Sequence, residues 1–125
     1  MAASVRYIVD DVGDAIAFYD RLGFTVEMHP APGFAMLRRE ELRLLLNTPG
    51  GGGGAGQSMP DGTQPHPGGW NRFQIEVDDL GAAVERLTAA GVTFRSEIIT
   101  GTGGRQVVAD DPAGNPVELF EPAER

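Results

Sequence analysis

The stretch VDDVGDAIAFYDRLGFT (9–25) returns without a gap as VDDLGAAVERLTAAGVT (77–93), at a constant offset of 68 residues. Val9 answers to Val77, Asp10 and Asp11 to Asp78 and Asp79, Ala15 to Ala83, Gly23 to Gly91 and Thr25 to Thr93. Each copy reads strand, helix, strand. The aspartates supply an N-cap, a carboxylate that accepts free N–H groups of the first helical turn. Apolar residues then come at helical spacing: Val12, Ile16 and Tyr19 with Leu22, and Leu80, Val84 and Leu87 with Ala90. Gly23 and Gly91 stand where a helix ends in a left-handed residue. Two unrelated amphipathic helices would not agree in strand, cap, length and stop, so the chain carries an internal duplication.

The segments downstream of the two helices also match in kind. After Gly23 come FTVEMHP, GFAMLRR and LRLLLN; after Gly91 come VTFRSEIIT, RQVVADD and PVELFEP. The polar RREEL marks a hairpin, GTGG a glycine turn, and DPAG a type I turn with Pro112 at its second position. Each half is expected to be a βαβββ module, the first over 1–47 and the second over 70–122, in one α+β domain spanning 1–125. The 48–69 segment between them holds five consecutive glycines (50–54) and several prolines, which oppose regular structure. It lacks the Gly-Lys-Ser/Thr ending of a phosphate-binding loop. It reads as a flexible linker, with a lid over a pocket as the functional alternative.

Composition narrows the function. At 125 residues the chain fits one domain, and without cysteine it can form neither a disulfide nor a thiolate metal site. The net charge is −8 and all ten cations are arginines scattered along the chain. Nucleic acid is therefore not the expected partner, because counterion release needs clustered cations. No apolar run reaches the roughly 20 residues of a membrane span. The opening MAASVRYIVDD has no basic region leading into an apolar one, so a cytoplasmic location is expected.

The closing DPAGNPVELFEP (111–122) raises a chemical question. Alternation puts Val117 and Leu119 on one face of a strand, and Glu118 on the other beside Phe120. A carboxylate among apolar neighbours needs a cation, a metal or hydrogen-bond donors, or it takes up a proton. On the first strands, Ser4, Arg6 and Ile8 share a face, as do Arg72, Gln74 and Glu76, while Phe34 and Met36 lie together on the third strand. Trp70, the only tryptophan, sits where the linker meets the second module, and aromatics at a pocket mouth suit planar ligands.

Two βαβββ modules in tandem, each opening strand-Asp-Asp-helix, with Asp-Pro-x-Gly-x-x-x-Glu near the end, resemble the vicinal oxygen chelate superfamily. That group includes glyoxalases, extradiol dioxygenases and bleomycin-resistance proteins. The resemblance implies curved sheets around a small-molecule cavity, often completed in a homodimer. In metal-bearing members it implies a divalent ion held from the first and last strands of each module. Carried over by position, those ligands fall on Ser4, Arg72, Leu44 (with Arg43 adjacent) and Glu118. One acid does not make a divalent site, which ordinarily needs three or four protein ligands. His29 and His66 lack the spacing to supply the rest. No metal and no cofactor are therefore expected, and Arg72 should pair with Glu118, either as a structural ion pair or with a donor edge left for an oxygen-rich ligand.

The expected ligand-binding set is Ser4, Arg6, Phe34, Met36, Leu44, Trp70, Arg72, Gln74, Glu118 and Phe120. By resemblance, the expected function is metal-independent binding of a small molecule, aromatic or antibiotic-like, as in antibiotic resistance by sequestration. The acidic surface would favour cationic drugs. The alternative is a lyase, isomerase or dioxygenase of the same superfamily acting on a small oxygenated substrate, with Glu118 the only candidate base.

Overall fold

Both expected helices form, and they start and stop alike. In the computed structural model, which describes residues 3–50 and 54–123, α1 spans Val12–Asp20 and α2 spans Leu80–Ala89. Asp11 Oδ1 accepts from the Asp14 N–H at 2.9 Å, and Asp79 Oδ1 accepts from the Ala82 N–H at 3.0 Å. At the other end, the Phe24 N–H reaches the Tyr19 carbonyl and the Val92 N–H the Leu87 carbonyl, a Schellman-type closure made twice at equivalent positions. Gly23 and Gly91 make it possible, with φ of 90° and 92°. The buried stripe differs slightly from the sequence expectation. Ala15 and Ala83, also equivalent, are buried together with Phe18, whereas Ala90 faces solvent and Ile16 is half-buried. The stripe is centred on small residues, which let each helix lie close to its sheet. Tyr19, fully buried, packs edge-on against Phe18 and Phe24 with centroids 4.9 and 5.5 Å apart.

The chain divides into two units, 1–68 and 69–125. The first holds β1 (Ser4–Ile8), α1, β2 (Thr25–Ala31), β3 (Phe34–Arg39) and β4 (Leu42–Asn47), in sheet order β1-β4-β3-β2. β1 and β4 are parallel, and β4, β3 and β2 are antiparallel neighbours. The β3–β4 turn is the two residues Glu40 and Glu41, with Glu40 at φ 52°. Such a turn demands left-handed backbone, here without a glycine. β2 borders the sheet; its pairing with β3 shifts register twice, between Val26 and Met28 and between Met28 and Ala31, and Pro30 within it has no N–H to donate. Tyr7, Val9, Ala35, Leu37, Leu44 and Leu46 form the buried face. Burial of a leucine of this kind contributes about 1.5–3 kcal/mol.

The second unit repeats the plan: β5 (Gln74–Glu76), α2, β6 (Thr93–Phe94), β7 (Ile99–Thr100), β8 (Gly104–Asp110) and β9 (Pro116–Pro122), with β5 parallel to β9. One expectation needs correction. VTFRSEIIT is not one strand: β6 and β7 both pair with β8, the Arg95 N–H still reaches the Val108 carbonyl at 2.8 Å, and regular pairing is interrupted over residues 96–98. Beside the break, the Arg95 guanidinium donates to Asp110 Oδ1 at 2.8 Å and to the carbonyls of Gly69 and Gly114. The DPAG turn forms as expected, with the Gly114 N–H on the Asp111 carbonyl at 2.9 Å. Buried Asp111 also accepts from the N–H groups of Ala113 and Asn115 and from the Asn115 side chain. The architecture is α+β, two sheets each carrying one helix, and no helix among the described residues is long and apolar enough to cross a membrane.

Candidate functional site

Each sheet has one face buried by its helix and one face turned away from it. On the second unit's open face, Gln74 of β5 lies in register with Glu118 of β9. Arg72 reaches Glu118 Oε1 through Nε at 3.0 Å and through a terminal nitrogen at 2.9 Å. Gln74 Nε2 donates to Glu118 Oε2 at 2.6 Å. Glu118 is 8% exposed, so its charge rests on these donors. This settles what accompanies the acid: a guanidinium and an amide. Arg72 also donates to the Trp70 carbonyl at 3.3 Å, and its Cζ lies 5.3 Å from the Trp70 ring centroid. Trp70 itself is exposed, and Phe120, on the same face as Glu118, is half-buried.

On the first unit's open face, the equivalent pairing is Arg6 of β1 beside Leu45 of β4. Leu44 therefore leaves the candidate set: it is fully buried on the helix-facing side and Leu45 occupies the position that matches Glu118. Ser4 is exposed beside Arg43, while Phe34 and Met36 are half-buried on this face, opposite Asn47 and Leu45. Arg6 hydrogen-bonds Asn47 Oδ1, and Asn47 is 1% exposed. Arg6, Phe34 and Asn47 line a pocket of about 370 Å³ with Pro30, Ala31, Gly54 and Ala55. That volume suits a small organic molecule. Asn47, Pro30 and Ala31 are additions to the sequence-derived set. The alternation Arg43, Leu45, Asn47 is the signal that could have found Asn47.

Two strand-helix-strand units, each pairing its first strand parallel to its last, with the first strand after the second helix split into β6 and β7, define a tandem βαβββ protein. The family model of the Glyoxalase/Bleomycin resistance protein/Dioxygenase superfamily matches residues 2–119, and the chain belongs to that superfamily. Among solved structures, it is similar to a superfamily member from Sphaerobacter thermophilus at 27% identity, with TM-score 0.74, covering 97% of this chain and 96% of that one. It is also similar to lactoylglutathione lyase from Agrobacterium tumefaciens, at 24% identity and TM-score 0.74, covering 97% and 92%. A third is TnmS3, an antibiotic binding protein from Streptomyces sp. CB03234, at 24% identity and TM-score 0.72, covering 98% and 96%. Comparison with curated proteins gave no match.

The superfamily's divalent ion can be tested against the side chains at its positions. They offer the Ser4 hydroxyl, the Arg72 guanidinium, the Glu118 carboxylate and, in β4, Leu45. This set does not fit a divalent ion: it has one anionic donor, already bonded at both oxygens, and a fixed positive charge beside it. Among the described residues no group of three His, Cys, Asp or Glu side chains gathers elsewhere.

Proposed function

We propose that the protein binds a planar, aromatic small molecule without a metal ion, sequestering it as a homodimer whose sheets enclose the ligand. The observation that carries this reading is the closed cluster of Arg72, Gln74 and Glu118. A carboxylate at the metal position is held by three donor nitrogens, two on Oε1 and one on Oε2, beside a fixed guanidinium charge that opposes a cation. In this reading Glu118 serves as a fixed acceptor for Arg72 and Gln74 and not as a base. The pocket beside Phe34 and the exposed Trp70 supply apolar and aromatic surface. The antibiotic-binding structural neighbour supports the reading by analogy of fold.

The test is calorimetric titration of untagged protein, dialysed with and without EDTA, against a panel of planar aromatic compounds. The expected result is saturable binding of at least one compound with the same affinity in both preparations. No binding across the panel, or binding that needs one equivalent of a divalent metal, would overturn the proposal.

A further inference from the structure

The duplication permits a comparison of the two open faces that neither face offers alone. In the second unit, the arginine of the face is matched by a carboxylate, and both are satisfied. In the first unit, the residue that matches this carboxylate is Leu45 and the residue that matches Arg72 is Ser4, yet Arg6, the counterpart of Gln74, and Arg43 bring arginines to this face. Within its four strands, Arg6, Arg38 and Arg43 share the face with one acid, Glu27, which pairs with Arg38. Among the described residues, neither Arg6 nor Arg43 has a carboxylate within ion-pair distance. The partner of Arg6 is the neutral amide of Asn47. Arg43 is half-buried, and its Nε is buried without a hydrogen-bond partner. Arg6 and Arg43 are diagonal neighbours on adjacent strands, roughly 8 Å apart by ordinary sheet spacing.

We infer that the first unit's pocket is built for an anion: a planar apolar molecule carrying a carboxylate-type oxyanion. This rests on the binding function proposed above and names the ligand's charge. The oxyanion lies against the guanidinium of Arg6, whose orientation is set by buried Asn47; Arg43 lies outside the pocket lining, farther along the same face. The apolar body lies against Phe34, Pro30 and Ala31. A fork of N–H donors matches two carboxylate oxygens, and a bound anion supplies the charge that Leu45 does not. The net charge of −8 makes these two arginines more telling, because the chain as a whole repels anions. A ligand chosen by bulk charge would be a cation; a ligand chosen by the pocket is an anion.

Three matched probes test this: 2-naphthoate, 2-naphthamide and 2-naphthylmethylammonium, titrated by calorimetry at 50 and 300 mM salt. Naphthoate should bind at least about tenfold more tightly than the amide, the ammonium compound weakest of all, and salt should weaken naphthoate alone. Arg6→Gln should bring naphthoate to the affinity of the amide while leaving the amide within about threefold. Arg86→Gln, which removes the same charge from helix α2, should leave all three unchanged. Circular dichroism confirms that both variants fold, and Arg6→Lys provides a second variant with charge but no fork, expected to lie between. Equal binding of the three probes, or loss of naphthoate affinity with Arg86→Gln as large as with Arg6→Gln, overturns the anion assignment and leaves the binding function standing. Failure of all three to bind overturns both.

Discussion

Removing the Arg72 guanidinium should expose how much of the second unit depends on one ion pair. Arg72→Met keeps the length and apolar stem of the side chain but leaves Glu118 with Gln74 alone. The arginine and glutamate side chains are 17% and 11% exposed, so solvent replaces the lost donors poorly. A charge-assisted hydrogen bond is worth about 1.5–3 kcal/mol, and stripping one partner from a buried pair costs about 3–5 kcal/mol. Because the Gln74 amide stays at 2.6 Å and Arg72 lies near the surface, the expected loss is about 2–3 kcal/mol. That corresponds to a fall in Tm of about 6–12 °C for a chain of this size. Urea unfolding at pH 7 measures it. Adding Glu118→Gln should restore most of the loss, since the stranded charge is gone, giving a coupling energy of about 1.5 kcal/mol or more in the double-mutant cycle. A single-variant loss below about 0.5 kcal/mol, or additivity in the cycle, would refute the reasoning.

Other substitutions probe the backbone and the titrating groups. Gly104, at φ 151°, has no room for a methyl group: its Cβ would lie 2.2 Å from the Glu121 carbonyl oxygen and 3.0 Å from Phe120. Gly104→Ala should cost about 2–3 kcal/mol, read by urea unfolding; a cost under about 0.5 kcal/mol would mean the β8–β9 pairing yields easily. Glu40, left-handed in the β3–β4 turn, should improve on change to Asn, raising stability by about 0.5 kcal/mol despite loss of its exposed contact with Arg39. Glu121 accepts the Leu80 N–H at 2.8 Å, which with Arg105 holds its carboxyl below the usual glutamate range. Because its pKa is lowered on folding, its contribution is present above about pH 4.3 and fades as pH falls through the folded value. The Tm gap between wild type and Glu121→Gln should therefore be larger at pH 7 than at pH 3; a constant gap would exclude the charge as its origin.

The legible and illegible parts of this fold separate by the range of the interactions behind them. Asp11, Gly23, Asp79 and Gly91 declare both helices because caps and stops are made with neighbours in sequence. The Arg72–Glu118 pairing could be anticipated from the superfamily's strand positions, but Gln74 as the third member needed the β5–β9 register. Leu44 is a poor choice of site residue for a plain reason: in LRLLLN three leucines run together and carry no contrast to set the period. Only Arg43 and Asn47 at the flanks mark the open face, and they fix Leu45, not Leu44, upon it. The break between β6 and β7 had only the polar run Arg95, Ser96, Glu97 as a local signal. Beside it Arg95 reaches Gly69 and Gly114, contacts that only the folded unit brings together. Likewise, Ala90 continues the helical spacing of Leu87, but it stands past the end of α2, at the cap, where the chain has already turned from the sheet.

The irregular border strand β2 has a consequence for how the molecule behaves in a crowd. Its residues are almost all exposed, Val26 and Met28 each at 47%, which would invite a neighbouring chain to extend the sheet. Two slips in its pairing and a proline within it spoil the even ladder that such an addition needs. The kinked margin therefore offers no even row of backbone groups along which a neighbouring chain could extend the sheet.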